Sequence, residues 1–346
     1  MKWIVTGGAG FIGCNTIKRL LDSGHSVVAI DNLSRRGTAA NLSWLRKQGD
    51  FEFIKLDIRD VDGLQQVFAQ HSDVDVILHL AAQVAVTTSV VNPREDFEIN
   101  TVGTFNVLEA TRTLNTNPIF LYASTNKVYG KIEQAGIELT NGKYAYSQLP
   151  NGVPESTPLD FYSPYGCSKG AADQYVHDYA RIYGLRTVVF RQSCIAGIRQ
   201  LGIEDQGWVA WFVIAATLGS PITLYGDGRQ VRDVLFVNDL VDAYLHAVAQ
   251  IDRTSGTVYN IGGGPTNQLS LLELLTFLEN RLGRKIPVRY ADWRPGDQRV
   301  FIADITKAQR DFGWAPKVDI DMGLAQLYEW VCEETELLHS VLGDHL

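Results

Sequence analysis

Thr6-Gly7-Gly8-Ala9-Gly10-Phe11-Ile12-Gly13 is the stretch that decides the fold of this chain. It follows a short apolar run at 3–5 and precedes a segment with the hydrophobic periodicity of a helix. Glycines at this spacing let the backbone approach a pyrophosphate, and the N-terminus of the following helix stabilises the negative charge. The loop therefore predicts a dinucleotide site, and its expected contacts are Gly7, Gly10, Phe11, Ile12 and Gly13.

Strand and helix patterns alternate after this loop, which predicts an α/β fold with a Rossmann-type, doubly wound parallel sheet. The expected strands are 3–6, 26–30, 51–56, 74–80, 119–123 and 187–191, and the expected helices are 11–23, 61–70, 94–115 and 165–183. Beyond about residue 192 the chain is more irregular, with a capped helix from Ser270 to about Leu282 and a last helix over 322–338. The predicted domains are 1–191, with parts of about 234–262 returning to it, and a smaller mixed α/β domain of 192–233 and 263–346.

Composition narrows the class of partner. The chain has 346 residues, a formal net charge of -8 and a pI near 5.4, which argues against nucleic acid or an anionic membrane as the main partner. No apolar segment approaches the roughly 20 residues of a membrane span. The four cysteines are scattered and the histidines lack ligand spacing, so we expect reduced thiols, a cytoplasmic protein and no metal.

Asp31 is the next candidate for cofactor binding. It ends the second predicted strand, where an acidic side chain can bind the adenosine ribose hydroxyls and repel a 2′-phosphate. This favours NAD over NADP, although Arg35 and Arg36 could hold such a phosphate. Further cofactor contacts are expected at the ends of the third and fourth strands, at Asp57, Ile58, Ala81 and Ala82.

Tyr165-Gly166-Cys167-Ser168-Lys169 joins this site to acid–base chemistry. Residues four apart on a helix share one face, so the lysine ammonium can stabilise the tyrosine phenolate. A neighbouring positive charge moves a phenol pKa from about 10 towards neutrality. Such a tyrosine can exchange a proton with a carbinol while a nicotinamide takes the hydride.

Together these motifs resemble the extended short-chain dehydrogenase/reductase family of nucleotide-sugar epimerases and dehydratases over nearly the full length. The matching runs are TGGAGFIG (6–13), HLAA (79–82), STNKVYG (124–130), YGCSK (165–169), VRDVLFVND (231–239) and RPGD (294–297). The resemblance implies that Tyr165 is the base, that Lys169 also holds the nicotinamide ribose, and that Thr125 completes the catalytic triad. It also implies cofactor contacts at Asn32, Leu80 and Asn100.

Asn126 and Lys127 follow Thr125, where dehydratases of this family carry an acidic pair. Neither side chain can replace a carboxylic acid, so elimination is disfavoured and epimerisation remains. Several runs, including STNKVYG and Asp205-Gln206-Gly207-Trp208-Val209, are similar to the branch of CDP-tyvelose 2-epimerases. That similarity implies oxidation at sugar carbon 2 by bound NAD and reduction on the other face. The alternatives are a UDP-sugar 4-epimerase and a non-catalytic NAD-binding regulator.

The substrate, a nucleotide-diphosphate sugar and by resemblance a CDP-sugar, has to be held by its diphosphate while the sugar turns. Arg232 and Arg294 lie in motifs that clamp the diphosphate in relatives, and Asn126 and Ser193 are further candidates. Arg199 is an equal choice between substrate contact and a surface salt bridge. Cys194 stands where many relatives have an asparagine that contacts the diphosphate, and a thiol is a poor donor. The resemblance also implies a homodimer or homotetramer joined through the helices near 94–115 and 165–183.

Overall fold

A seven-stranded parallel sheet forms the centre of the protein in a computed structural model. The structure describes residues 1–294 and 296–343, apart from the side chain of Glu133. The strand order is β12-β8-β5-β4-β1-β2-β3. The bounds of these strands are Lys2–Thr6 (β1), Ser26–Asp31 (β2), Glu52–Lys55 (β3), Val76–His79 (β4), Ile119–Thr125 (β5), Arg186–Gln192 (β8) and Thr257–Ile261 (β12). The order reverses between β1 and β4, and ligands of such sheets bind at that point, beyond the carboxyl ends of the strands. The predicted fold class is confirmed.

Helices cover both faces of this sheet, which explains why its inner strands are apolar throughout. Their bounds are Phe11–Asp22 (α1), Thr38–Leu45 (α2), Val61–Gln70 (α3), Val86–Val91 (α4), Pro93–Phe97 (α5), Gly103–Arg112 (α6), Ser163–Tyr183 (α7), Val237–Ala249 (α9) and Ile251–Thr254 (α10). Helix α1 packs beside α2 and α9, whereas α6 packs between α3 and α7. In the interior of the sheet, Ile4, Val5 and Leu78 are completely buried.

The remaining elements lie mostly after residue 193. The helices are Trp208–Leu218 (α8), Leu271–Leu282 (α11), Thr306–Phe312 (α12), Ile320–Glu333 (α13) and Thr335–Leu342 (α14). The strands are Cys194–Ala196 (β9), Ile222–Tyr225 (β10), Val231–Phe236 (β11), Gln268–Ser270 (β13), Val288–Ala291 (β14) and Val300–Phe301 (β15). A separate apolar cluster drawn from 196–342 packs α8, α11 and α13 together. The exact domain limits stay a prediction.

Three local differences separate the expected elements from the observed ones. The helix predicted over 94–115 is interrupted by a π-helical turn at Glu98–Val102. The helix predicted over 322–338 begins earlier and is divided at Glu334, so that α14 runs to Leu342. Residues 131–153 contain a hairpin of Ile137–Thr140 (β6) and Lys143–Tyr146 (β7) that no pattern had indicated.

Within the described ranges, no helix combines the length and the apolarity that crossing a membrane would require.

Candidate active site

The glycine loop forms a cradle that only glycine backbone can make. Gly7 has a φ of +71°, and a Cβ atom there would lie 2.7 Å from the backbone nitrogen of Ala81. A Cβ atom on Gly13 would collide with the carbonyl oxygen of Gly7. Gly10 caps α1 without a side-chain hydrogen bond, so the first N–H groups of α1 remain available to an anion. This cradle at the β1 switch point fits the pyrophosphate of a dinucleotide.

Asp31 lies at the end of β2, beside this cradle. Its carboxylate accepts hydrogen bonds from the backbone N–H groups of Ala9, at 3.1 Å, and Leu33, at 2.8 Å. The side chain is 8% exposed, and burial raises the pKa of its carboxyl group. The charge expected to select ribose hydroxyls is therefore present beside the loop that would hold the pyrophosphate.

A second acidic group follows β3. Asn32 donates to the Asp57 carboxylate at 2.8 Å, and Arg59 holds the same carboxylate through two nitrogens. These hydrogen bonds lower the pKa of Asp57 to about 2. Ile58 is buried, and its carbonyl oxygen accepts from the Asn106 amide. Asp57 thus has protein partners, and its predicted contact with the adenine stays a prediction.

The segment after β4 passes directly under the glycine loop. The backbone N–H groups of Leu80 and Ala81 donate to Thr6, through its carbonyl and its hydroxyl, at 3.1 and 3.4 Å. Ala82 continues this segment and is half-buried. Asn100 is buried beneath it, and its amide bonds Gln83 and, at 3.1 Å each, Asp96 and Ser168. Asn100 therefore ties α7 to this segment, and its predicted contact with the cofactor is not tested.

Thr125, Tyr165 and Lys169 meet where β5 ends against the first turns of α7. The Thr125 hydroxyl hydrogen-bonds the Tyr165 phenol, which lowers the phenol pKa, but burial is the larger effect and raises it to about 12. Lys169 donates to the Ala123 carbonyl at 2.7 Å and lies 4.4 Å from the centre of the Tyr122 ring. Burial lowers the pKa of Lys169 to about 7.

The pKa of Tyr165 thus differs from the sequence-based expectation. We expected Lys169 to bring it towards neutrality, but in the protein alone the ammonium bonds β5 and the phenol is protonated at neutral pH. Burial outweighs the stabilisation of the phenolate. Spacing along a helix reports the shared face, whereas the burial of the tyrosine depends on the whole fold.

A pocket of about 320 Å³ opens beside Thr125 and Tyr165. Five of the six predicted substrate contacts line it: Thr125, Asn126, Ser193, Arg232 and Arg294. Lys127, Cys194 and Tyr165 line it as well. The pocket brings Thr125 and Tyr165 together with the cations of Lys127, Arg232 and Arg294. Binding a substrate that carries both a phosphate and a reacting hydroxyl group would require such a combination.

The two arginines in the pocket each have a carboxylate partner. Arg232 pairs with Asp297 at 2.9 Å, and Arg294 pairs with Asp205 at 3.0 Å. The Arg294 guanidinium also stacks 3.7 Å from the centre of the Tyr225 ring. Ser193 makes a short hydrogen bond to Asp233. Since guanidinium groups suit phosphate oxygens, these arginines fit a diphosphate.

Arg199 is placed differently from the other candidates and does not line the pocket. Its buried guanidinium pairs with Glu334 at 3.0 Å and lies over the rings of Trp44 and Trp330. It also donates to the Asn41 side chain. Arg199 therefore joins α2 to the C-terminal helices, and of the two expectations the structure favours the salt bridge, in a buried form. We do not assign it to the substrate site.

Some pocket residues were not singled out from the sequence. Trp208 and Tyr225 line the pocket, and Gln206, which also lines it, accepts a short hydrogen bond from Arg35 across the cleft. The run Asp205–Trp208 carried the resemblance described above, but nothing in its pattern indicated which face would meet the pocket. Arg35 had been weighed only as a ligand for a 2′-phosphate.

Comparison with known proteins agrees with this geometry. The protein family described as GDP-mannose 4,6 dehydratase matches residues 4–327. The chain belongs to this family. A CDP-paratose 2-epimerase of Salmonella typhi is 47% identical over 335 residues, covering 95% of this chain and 99% of that protein.

Solved structures of the family have the same fold. The UDP-glucose 4-epimerase of Thermotoga maritima, with UDP-glucose, is 31% identical with a TM-score of 0.83, covering 97% of this chain and 100% of the other. The UDP-glucuronic acid 4-epimerase of Bacillus cereus, in complex with UDP-glucuronic acid and NAD, is 28% identical with a TM-score of 0.82, covering 96% and 99%. The chain is accordingly an NAD-dependent enzyme of epimerase type, and the glycine cradle with Asp31 fits that cofactor.

Proposed function

We propose that this family member catalyses epimerisation at carbon 2 of a CDP-sugar, of the CDP-paratose to CDP-tyvelose type. The observation that carries the proposal is the wall Thr125-Asn126-Lys127, which faces the same pocket as Tyr165. It supplies a hydroxyl, an amide and an ammonium beside the phenol. These groups can support oxidation and reduction of a carbinol. They include no carboxylic acid, which elimination of water would need beside the phenol.

The acidic residues of the pocket argue against elimination of water. The carboxylates of Asp205 and Asp297 are paired with arginines, and Glu204 accepts from the Tyr225 hydroxyl at 3.3 Å. These three carboxylates are thus engaged by Arg294, Arg232 and Tyr225, and none of them belongs to the Thr125-Asn126-Lys127 wall. An epimerase, unlike a dehydratase, needs only one proton-exchanging group at the reacting carbon.

Tyr165 is the residue that exchanges the proton in this proposal. NAD, when bound, supplies a hydride acceptor and then returns the hydride to the other face of the sugar. During oxidation the phenolate form of Tyr165 accepts the proton of the sugar hydroxyl, and during reduction the resulting phenol gives a proton to the ketone oxygen, so one turnover is balanced in protons. Because the phenol is protonated in the protein alone, it has to lose that proton before the first oxidation. Thr125 hydrogen-bonds this phenol and keeps it orientated, and Lys169 lies one turn further along α7, where it donates to the Ala123 carbonyl.

The nucleotide and the carbon are proposed from similarity. The relative that acts on CDP-paratose shares 47% identity across almost all of both chains. A UDP-sugar 4-epimerase is the second candidate, since that activity is named for structural neighbours with TM-scores of 0.82 to 0.83 and at most 31% identity. The higher identity to the 2-epimerase favours carbon 2.

Product analysis tests the proposal. Purified enzyme would be incubated separately with CDP-paratose, CDP-glucose, UDP-glucose and dTDP-glucose, and the products followed by NMR. We expect a carbon 2 epimer from a CDP-sugar and no 4-keto-6-deoxy sugar. Turnover of UDP-glucose at carbon 4 with both CDP-sugars unchanged would reject the proposal in favour of the second candidate.

We also infer that the protein forms a homodimer, or a tetramer built from such dimers, through α6 and α7. Phe105, Tyr175, Ile182 and Tyr183 expose 39–65% of their surface along these helices, an unusual amount for large apolar side chains. Tyr179 is buried and donates to Glu109, so it belongs to the packing of the monomer. Light scattering of wild type and Ile182→Glu should show a loss of assembly, and an unchanged mass would contradict the inference.

A further inference from the structure

Lys127 is a pocket cation that has no ionic partner among the residues that the structure describes. Its ammonium makes two long contacts, 3.4 Å each, with the Gly296 carbonyl and the Gln298 side-chain oxygen. Within 1–294 and 296–343 it forms no ion pair, in contrast to Arg232 and Arg294. Burial and the nearby Arg232 lower its pKa to about 8. A desolvated ammonium with two weak acceptors is costly to the fold, so an anionic ligand would satisfy it.

The position of Lys127 is set by the catalytic strand end. Thr125 accepts a hydrogen bond from the Lys127 backbone N–H at 3.2 Å, which starts the short helical turn Asn126–Tyr129. The lysine side chain therefore enters the pocket next to the hydroxyl that meets Tyr165. Lys127 and Tyr165 therefore line the same pocket, so a sugar that reacts at Tyr165 shares that pocket with the Lys127 ammonium.

The position of the reacting carbon on the sugar ring indicates which anion would lie near Lys127. This step rests on the carbon 2 chemistry proposed above. Carbon 2 is bonded directly to carbon 1, which carries the diphosphate. When carbon 2 faces Tyr165, the phosphate next to the sugar must lie close to the catalytic residues. When carbon 4 faces Tyr165, the whole ring separates that phosphate from them.

We propose that Lys127 binds the sugar-proximal β-phosphate and thereby helps to select carbon 2 as the reacting position. Cys194 on the β9 side of the pocket offers only a thiol, which burial keeps protonated by raising its pKa to about 12. Arg232 shares its charge with Asp297, whereas Lys127, beside Thr125, makes only two long contacts to neutral oxygens and so has donors to spare for a phosphate. An ammonium has three donors and takes phosphate oxygens as a point charge.

The test separates the β-phosphate from the rest of the nucleotide. Binding of CDP and CMP to the NAD-containing enzyme would be measured by calorimetry for wild type, Lys127→Met and Lys127→Arg. Lys127→Met should weaken CDP about tenfold or more and change CMP by less than about twofold, because one charge-assisted contact is lost. Lys127→Arg should keep most of the preference for CDP.

A matched control comes from the same segment. Lys131 lies 4.9 Å from the centre of the Tyr162 ring and does not line the pocket, so Lys131→Met should bind both nucleotides as wild type does. NAD content and melting temperature would be recorded for every variant. If Lys127→Met loses its cofactor, the ratio of CDP to CMP affinity would be compared between Lys127→Gln and Lys127→Arg instead.

The outcomes distinguish the two proposals. An unchanged CDP to CMP ratio in Lys127→Met, or an equal loss for both nucleotides, overturns the phosphate assignment. A parallel series with UDP and UMP shows whether only the nucleotide base was assigned wrongly. In that case Lys127→Met would change the ratio of UDP to UMP affinity and not the ratio of CDP to CMP affinity. Reaction of wild type at carbon 4 would instead refute the proposed function, whatever the binding ratio.

Discussion

Asp173 and Arg191 form a bidentate ion pair in the interior, with nitrogen–oxygen distances of 3.0 and 2.9 Å and side chains that are 0% and 5% exposed. Asp173 lies one turn beyond Lys169 on α7, and Arg191 lies near the end of β8. The Ser124 hydroxyl of β5 donates to the same carboxylate at 2.6 Å. This pair therefore fixes the catalytic helix against the two strands beside it.

Replacing Asp173 should destabilise the protein strongly. Asp173→Ala leaves the Arg191 guanidinium buried without its partner, which typically costs about 3–5 kcal/mol of unfolding free energy. Asp178→Ala, on the exposed side of the same helix, should cost under about 0.5 kcal/mol. Urea unfolding of both variants measures this, and equal stability would show that the pair does not hold α7.

Tyr165→Phe should abolish turnover without loss of the cofactor. Removing the proton-exchanging hydroxyl is expected to lower kcat by about a hundredfold or more, while the ring still fills its buried site. Tyr175→Phe on the exposed side of α7 is the matched control and should stay active. Assays of turnover and of bound NAD decide this, and an active Tyr165→Phe enzyme would remove the phenol from the mechanism.

Asp31→Asn should weaken the preference for NAD over NADP. The amide keeps one acceptor oxygen, so one of the hydrogen bonds from the Ala9 and Leu33 N–H groups is lost, and it removes the charge that would repel a 2′-phosphate. We expect the dissociation constant for NADP divided by that for NAD to fall about tenfold, because one charge interaction is removed. Asp22→Asn, which breaks only the surface pair with Lys18, is the control. An unchanged ratio would assign Asp31 to loop structure alone.

The stability of the protein without NAD should rise with pH above about 7 through Lys169. Burial depresses the folded-state pKa of Lys169 to about 7 from an ordinary 10.5, so the unfolded chain binds more protons between these values. Stability then increases with pH across that window. Urea titrations at pH 7, 8 and 9 should show wild type gaining relative to Lys169→Met, while Lys131→Met keeps the wild-type slope. If the difference in unfolding free energy between wild type and Lys169→Met stayed constant from pH 7 to 9, the lowered pKa of Lys169 would be contradicted.

Local patterns indicated three features of the candidate cofactor site that the fold brings to one edge of the sheet. The glycine loop, Asp31 at the end of β2 and the Tyr165–Lys169 spacing are each properties of a few adjacent residues, and all three lie at the carboxyl edge of the sheet. Strand order could be expected from the same alternation, because crossovers between parallel strands have one hand.

Long-range partners were beyond the reach of such patterns. From the sequence, Arg199 was an equal choice between a substrate contact and a surface salt bridge, but in the structure Glu334 and two tryptophans from distant segments surround it. The π-helical turn at Glu98–Val102 leaves no mark in the hydrophobic period. The burial that sets the pKa values of Tyr165 and Lys169 also depends on residues far away in the chain.

Transfer of a carbon 2 label tests the central claim most directly. CDP-paratose carrying deuterium at carbon 2 would be incubated in ordinary water with the NAD-containing enzyme, and the products analysed by NMR. The account predicts CDP-tyvelose with the deuterium retained at carbon 2, since the same cofactor removes and returns it. Loss of the label to water, or no reaction of CDP-paratose while UDP-glucose is epimerised at carbon 4, would contradict it.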